Sequence, residues 1–139
     1  MRSGKASSAR RPSMRDSVLV IDDDRGIAEA LAIRLRAAGL DATTAASGAR
    51  GLACARERRP DAVVLDVRMP ELDGFEVHAR MKREPALAEV PVVFVSANVQ
   101  DSERQRALAG GAWAYLTKPY DAKEIVATVR AAIEERRRA

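Results

Sequence analysis

The sequence predicts an α/β protein built on a doubly wound parallel sheet. From Ser17 onward, five short apolar runs alternate with amphipathic stretches, the pattern of repeated strand–helix units with right-handed crossovers. Three of the runs are nearly free of polar residues, as central parallel strands covered on both faces require. Acidic, hydroxyl and ammonium side chains fall where the runs stop, and in open α/β sheets ligands bind outside the carboxyl ends of the strands.

The runs are VLVI (18–21), DATTA (41–45), AVVL (62–65), VVFV (92–95) and WAYL (113–116). DATTA is the most polar and reads as an edge strand. Between the first two, Ile27, Leu31 and Leu35 recur at helical spacing and Gly39 supplies a stop. Ser47 caps a second helix, which closes in RERRP: cations near its carboxyl end, then a proline. Phe75 to Arg83 is a short third helix that ends before Pro85. Ser102 and Gln105 have capping-box spacing for a fourth, which stops at Gly110-Gly111. Asp121 and Glu124 repeat that spacing before the Ile125, Val129, Ile133 stripe of a fifth, which fades into EERRRA, a solvated end or the start of a linker.

Bulk properties narrow the function. A chain of 139 residues with 47% apolar content builds a real core and reads as one domain. The net charge of +4 suggests a nucleic-acid partner, but its location does not. Residues 1–16 carry five basic side chains against Asp16, so the whole excess lies there and 17–139 is balanced. That Ser- and Arg-rich stretch, with no hydrophobic period, reads as a disordered basic tail: an inert extension, a start misplaced from Met14, or a basic arm. No apolar run approaches the about 20 residues that span a bilayer, and no secretory h-region is present. The single cysteine, Cys54, has no partner for a disulfide and reads as a core or boundary residue of a reducing compartment. The expected location is cytoplasmic.

The chemistry sits at the ends of the runs. The first ends in Asp22, Asp23 and Asp24, the third in Asp66, the fourth in Ser96 and the fifth near Lys118. Each alone is ordinary turn or cap chemistry. Together they suit one hard divalent cation and one phosphoryl group. Clustered carboxylates repel, and Mg²⁺ relieves that while keeping sites for water and phosphate oxygens. An ammonium and a hydroxyl then hold the remaining phosphoryl oxygens.

The pieces VLVIDDD, VVLDVRMPELDG, VFVSA and YLTKPY, in this order and separation, resemble the receiver domain of two-component response regulators, of the single-receiver chemotaxis type. The resemblance covers residues 17–135, leaving 136–139 as a basic end. It implies a five-stranded sheet of order 2-1-3-4-5 flanked by five helices, the flavodoxin-like arrangement. It implies Asp66 as phosphoacceptor, and Mg²⁺ held by Asp22, Asp23, Asp66 and the backbone carbonyl of Arg68. Ser96 becomes the switch hydroxyl, Tyr115 the aromatic that changes rotamer, and Lys118 the phosphoryl contact. The Lys118–Pro119 peptide is commonly cis in such domains. The implied partners are a sensor histidine kinase or histidine phosphotransfer protein, and a downstream protein on the face of helix four, strand five and helix five. Neither a membrane nor direct nucleic-acid contact is expected, and no enzymatic activity beyond assisting its own phosphorylation and dephosphorylation.

Asp24 reads as a helix-start residue. Trp113 and Ala114 stand where acidic residues often precede the tyrosine, which puts dimerisation through that face in doubt. Trp113 itself is a core ring or an exposed partner anchor. Arg68 pairs with the phosphoryl group or a carboxylate, or points to solvent, and Asn98 borders the site. His78, the only histidine, is not expected to carry phosphate. A phosphatase of the haloacid dehalogenase type also uses an Asp after a strand, but needs a second Asp where this chain has Arg68. A receiver-like binding module that is never phosphorylated, and a receiver cut from a longer regulator with an output domain, are the remaining alternatives.

Overall fold

A computed structural model describes residues 15–138. Five strands and five helices alternate: β1 (Ser17–Ile21), α1 (Arg25–Ala37), β2 (Asp41–Ala45), α2 (Gly48–Glu57), β3 (Ala62–Asp66), α3 (Gly74–Arg83), β4 (Val92–Ser96), α4 (Asp101–Ala109), β5 (Ala114–Thr117) and α5 (Ala122–Arg138). The sheet is parallel throughout and ordered β2-β1-β3-β4-β5, the 2-1-3-4-5 arrangement expected. DATTA is its edge strand on one side. Strand five runs one residue later than the apolar run, and β3 and β4 include Asp66 and Ser96 as their last residues.

Alternation along each strand divides the core into two. Leu19, Ile21, Val63, Leu65, Val92 and Phe94 face α2 and α3, where Leu52, Val77 and Met81 meet them. Val18, Val20, Val64, Val93 and Val95 face α1 and α5, against Leu31, Leu35, Ile125, Val129 and Ile133. Both faces of the central strands are thereby dry, which explains their continuous apolar sequence.

Local signals mostly act as read. Asp24 caps α1 by accepting the Ile27 N–H, and Ser47 caps α2 through the Arg50 N–H. Asp121 accepts the Lys123 N–H at the start of α5, but the Asp121–Glu124 pair forms no reciprocal capping box. Gly39 takes the left-handed conformation that closes α1. Three further readings are corrected. Ser102 and Gln105 form no capping box: α4 begins at Asp101, its cap residue Gln100 makes no side-chain bond, and Gln105 donates to Asp101 instead. Ile27 leaves the α1 stripe, because Ala28, Leu31, Ala32 and Leu35 make the buried face and Ile27 lies at its edge, 37% exposed. Cys54 is exposed rather than core, since Gly48, Gly51, Leu52 and Ala55 are the residues α2 turns inward.

The basic stretch read as disordered lies outside the described residues up to position 14. Asp16 is held: its carbonyl accepts the Asp41 N–H, and its carboxylate pairs with Arg137 near the end of α5.

Two predictions follow from packing. Gly74 starts α3 directly over the end of β3, and a Cβ there would come within 2.4 Å of the Asp66 carbonyl oxygen and 2.9 Å of the Val67 Cα. Both are backbone, so Gly74→Ala should destabilise by about 2 kcal/mol, as overpacking does, measured by urea unfolding. His78 is buried, its ring edge-on to Phe94 at 5.4 Å. Burial, with Lys82 nearby, lowers its pKa to about 4. The unfolded chain therefore takes up the proton first as pH falls through about 6.5. The stability His78 contributes as a neutral ring is complete above that pH and lost towards pH 4. After discounting for solvent screening this is on the order of 1–2 kcal/mol. Denaturation midpoints at pH 7 and pH 5 should differ less in His78→Leu than in the unsubstituted protein.

Candidate functional site

The carboxyl edge of the sheet gathers the polar residues that end β1, β3, β4 and β5. Asp22 follows β1, its backbone N–H bonded to the Ala45 carbonyl at the end of β2. Its side chain is buried, and its Oδ1 accepts the Asp24 N–H at 2.9 Å. Asp66 closes β3, also buried, with its Oδ1 accepting the Arg68 N–H at 3.3 Å. Lys118, after β5, reaches between them: its Nζ is 3.1 Å from Asp22 Oδ2 and 3.4 Å from Asp66 Oδ2. The Lys118 N–H donates to the Ser96 carbonyl at 2.8 Å, and the peptide to Pro119 is cis.

Charge does not balance within this group. Asp22, Asp23 and Asp66 each offer a carboxylate oxygen within 4.8 Å of the others, Asp23 from the exposed side. One ammonium faces three carboxylates. Burial first, and the Asp22 charge second, push the Asp66 carboxyl up to about 6, against the opposing pull of Lys118. Burial would lower the Lys118 ammonium, but hydrogen bonding to Asp22 and the charge of Asp66 raise it. The donor set, all oxygen and open on the Asp23 side, suits a hard divalent cation, so these three residues can hold a metal ion.

A second network adjoins the first. Ser96, fully buried at the end of β4, donates its hydroxyl proton to Glu103 Oε2 at 2.8 Å and accepts the Asn98 N–H at 3.1 Å. Tyr115 is buried, its hydroxyl 2.6 Å from Glu103 Oε2 and 2.7 Å from the Asn98 carbonyl. Arg68 Nη2 and Asn98 Nδ2 reach Glu103 Oε1 at 2.5 and 3.2 Å. Of the readings of Arg68, the structure therefore displays pairing with a carboxylate. Burial would push the Glu103 carboxyl up, but hydrogen bonds from Tyr115 and Ser96, the Arg68 charge and the Asn98 amide outweigh it and hold it below its ordinary range. Tyr115 moves the other way: burial and the Glu103 carboxylate raise its phenol.

Six expected site residues thus occupy one rim: Asp22, Asp23, Asp66, Ser96, Lys118 and, through its backbone, Arg68. Tyr115 lies one layer behind. Glu103 was not expected. Its signal was its spacing: it stands four residues before Ala107, the other buried residue of α4, and so on the core-facing stripe of an otherwise polar helix. Trp113 is 40% exposed, which rules out the core-ring reading.

A 2-1-3-4-5 sheet with an acidic pocket at its carboxyl edge and a buried hydroxyl–phenol pair beside it is the architecture of a signal-receiving module. Residues 18–130 match the family model described as response regulator receiver domain, and the chain belongs to that family, within two-component signalling. It is 40% identical over 114 residues to the DNA-binding dual master transcriptional regulator RpaA of Synechocystis sp., covering 82% of this chain and 47% of that one. It is 41% identical over 119 residues to the transcriptional regulatory protein PrrA of Mycobacterium tuberculosis, covering 86% and 50%. The chain thus spans about half the length of the curated relatives it matches. Among solved structures, the receiver domain of the Francisella response regulator 1452 superposes with a TM-score of 0.81 at 29% identity, covering 86% of this chain and 98% of that one. The Vibrio cholerae chemotaxis protein CheY4 superposes with a TM-score of 0.80 at 28% identity, covering 85% and 98%. The family is not one of classical enzymes. No helix among the described residues is long and apolar enough to cross a membrane.

The acidic cluster predicts metal binding that depends on each carboxylate. Titration with Mg²⁺, followed by amide shifts of residues 22–24 and 66–68, should saturate in the unsubstituted protein. Asp22→Asn should weaken binding by about tenfold or more.

Proposed function

We propose that this domain accepts a phosphoryl group on Asp66 from a phosphohistidine of a sensor histidine kinase or histidine phosphotransfer protein. The observation that carries the reading is Lys118 Nζ, lodged between the buried carboxylates of Asp22 and Asp66 with Asp23 beside them. Asp22, Asp23, Asp66 and the Arg68 backbone carbonyl would hold Mg²⁺. When bound, the ion offsets the carboxylate charge that otherwise repels an anionic donor.

The remaining chemistry belongs to side chains. An Asp66 carboxylate oxygen attacks phosphorus in line, forming a P–O bond as the P–N bond to imidazole breaks and the histidine leaves. Lys118, released from the Asp66 carboxylate as that oxygen bonds phosphorus, holds a phosphoryl oxygen and stabilises the negative charge on the phosphoryl group. Water later attacks phosphorus, the Asp66 O–P bond breaks, inorganic phosphate leaves and the carboxylate is restored. Assistance to its own phosphorylation and dephosphorylation is the extent of the catalysis we assign.

Ser96 and Tyr115 form the switch in this reading. A phosphoryl oxygen draws the Ser96 hydroxyl, the loop of residues 97–100 follows, and the contacts of the Tyr115 phenol change with it. The output surface is the face of α4, β5 and α5, on which Trp113 is an exposed aromatic suited to a partner. RpaA and PrrA are a DNA-binding and a transcriptional regulator respectively. By that likeness this receiver would act as the receiving unit of a regulator with a separate DNA-binding output, and we assign no nucleic-acid contact to the balanced receiver segment itself. We place its action in the cytoplasm, where kinase and output module meet.

Incubation with Mg²⁺ and a small acyl-phosphate donor, then intact mass, tests the reading. One added phosphoryl group in the unsubstituted protein and none in Asp66→Asn is the expected result. No adduct and no binding of beryllofluoride, with a donor active on another receiver, would leave a binding module that works without phosphorylation.

A further inference from the structure

Glu103 spends its carboxylate on four donors, and two of them are groups a phosphoryl on Asp66 would need. Ser96 has one hydroxyl proton, and it goes to Glu103 Oε2 at 2.8 Å. The opposite side of Ser96 Oγ is occupied by the Asn98 N–H, so no second proton is free to point at Asp66. Arg68 starts beside the phosphoacceptor, its N–H on Asp66 Oδ1, yet its guanidinium turns away to Glu103 Oε1 at 2.5 Å. The remaining donors share the same oxygens: the Tyr115 phenol meets Oε2 beside Ser96, and the Asn98 amide meets Oε1 beside Arg68.

We infer that Glu103 is a positioning residue that withholds the Ser96 hydroxyl and the Arg68 guanidinium from the phosphoryl site and so sets the threshold for switching. The inference rests on Asp66 being the phosphoacceptor. It makes Glu103 an internal anion competing with the incoming one for the same two donors. When the phosphoryl oxygens take those donors, Glu103 keeps only Tyr115 and Asn98, and a carboxylate that is 9% exposed must tolerate the loss. That cost is what the Ser96–Tyr115 pair registers: both hydroxyls share one carboxylate oxygen, so a change at one is felt at the other.

Beryllofluoride with Mg²⁺, titrated into the full chain by calorimetry, tests this. Glu103→Gln keeps the shape but weakens the competing acceptor, and should bind the mimic about fivefold more tightly. Asp101→Asn, an exposed carboxylate on the same helix, should not. The gain should vanish when Glu103→Gln is combined with Ser96→Ala and Arg68→Ala, because the contested donors are then gone. Tyr115→Phe, which removes one donor from Glu103 and leaves its hold on Ser96 stronger, should weaken binding, and it reports even if Glu103→Gln does not fold. The aromatic resonances of Tyr115 should shift in Glu103→Gln without the mimic, in the direction the mimic moves them in the unsubstituted protein. Unchanged or weaker binding by folded Glu103→Gln, or a gain that persists without Ser96 and Arg68, would overturn the inference while leaving Asp66 as acceptor. Failure of the unsubstituted protein to bind the mimic would overturn both.

Discussion

Everything at the carboxyl edge of this sheet depends on one ammonium. Lys118 Nζ lies within 3.1 Å of Asp22 and 3.4 Å of Asp66, and without it two buried carboxylates would face each other unscreened. Burying a charge is costly unless it is paired, so Lys118 is what allows two carboxyl side chains to be buried side by side. It does not finish the task. With Asp23 included the group keeps an excess of negative charge, and burial first, with the Asp22 charge second, raises the Asp66 pKa despite Lys118. A site left short of positive charge is ready for a cation and, through it, for an anion.

Holding such a site open requires a scaffold that does not relax around it. The sheet is covered on both faces, with Leu65 and Phe94 on one side and Val64 and Val95 on the other, all within a few per cent of full burial. Asp66 and Ser96 therefore extend from strands whose positions are fixed by the packing of the two residues before each. Gly74 tightens the arrangement by letting the start of α3 approach the Asp66 backbone. The local repulsion is offset by burial elsewhere, a common division of labour between a strained site and its support.

The sequence made the framework legible because its signals were periodic. VVLD and VFVS announce buried parallel strands by their unbroken apolar character, and the groups that end them fall at the rim by topology alone. Ser47 and Asp24 were readable as caps because their chemistry is local. Glu103 was only half legible: its spacing to Ala107 marks it as core-facing, but its partners come from the loop before α3, β4, the loop after β4 and β5, and no spacing within one segment reports that convergence. Ser102 and Gln105 misled for the converse reason: their spacing is right, but the turn at Asn98–Gln100, with Asn98 Oδ1 accepting the Gln100 N–H, puts the cap at Gln100 and starts the helix two residues earlier. Cys54 was misjudged from residue type, where the stripe of Gly51, Leu52 and Ala55 decided the outcome.

The Asp16–Arg137 pair has a mechanical consequence. It ties the entry to β1 to the last turns of α5, at the amino-terminal edge of the sheet, while the acidic pocket occupies the opposite edge. Five residues of strand separate the two, a span of about 17 Å. No side chain bridges such a distance. News of an event in the pocket can reach that pole only as a displacement of packed elements, with α5 as a lever running from Ala122 beside the pocket to Arg137 at the clasp. The clasp is then the point where a small tilt of the helix would pull on the backbone leading into the domain.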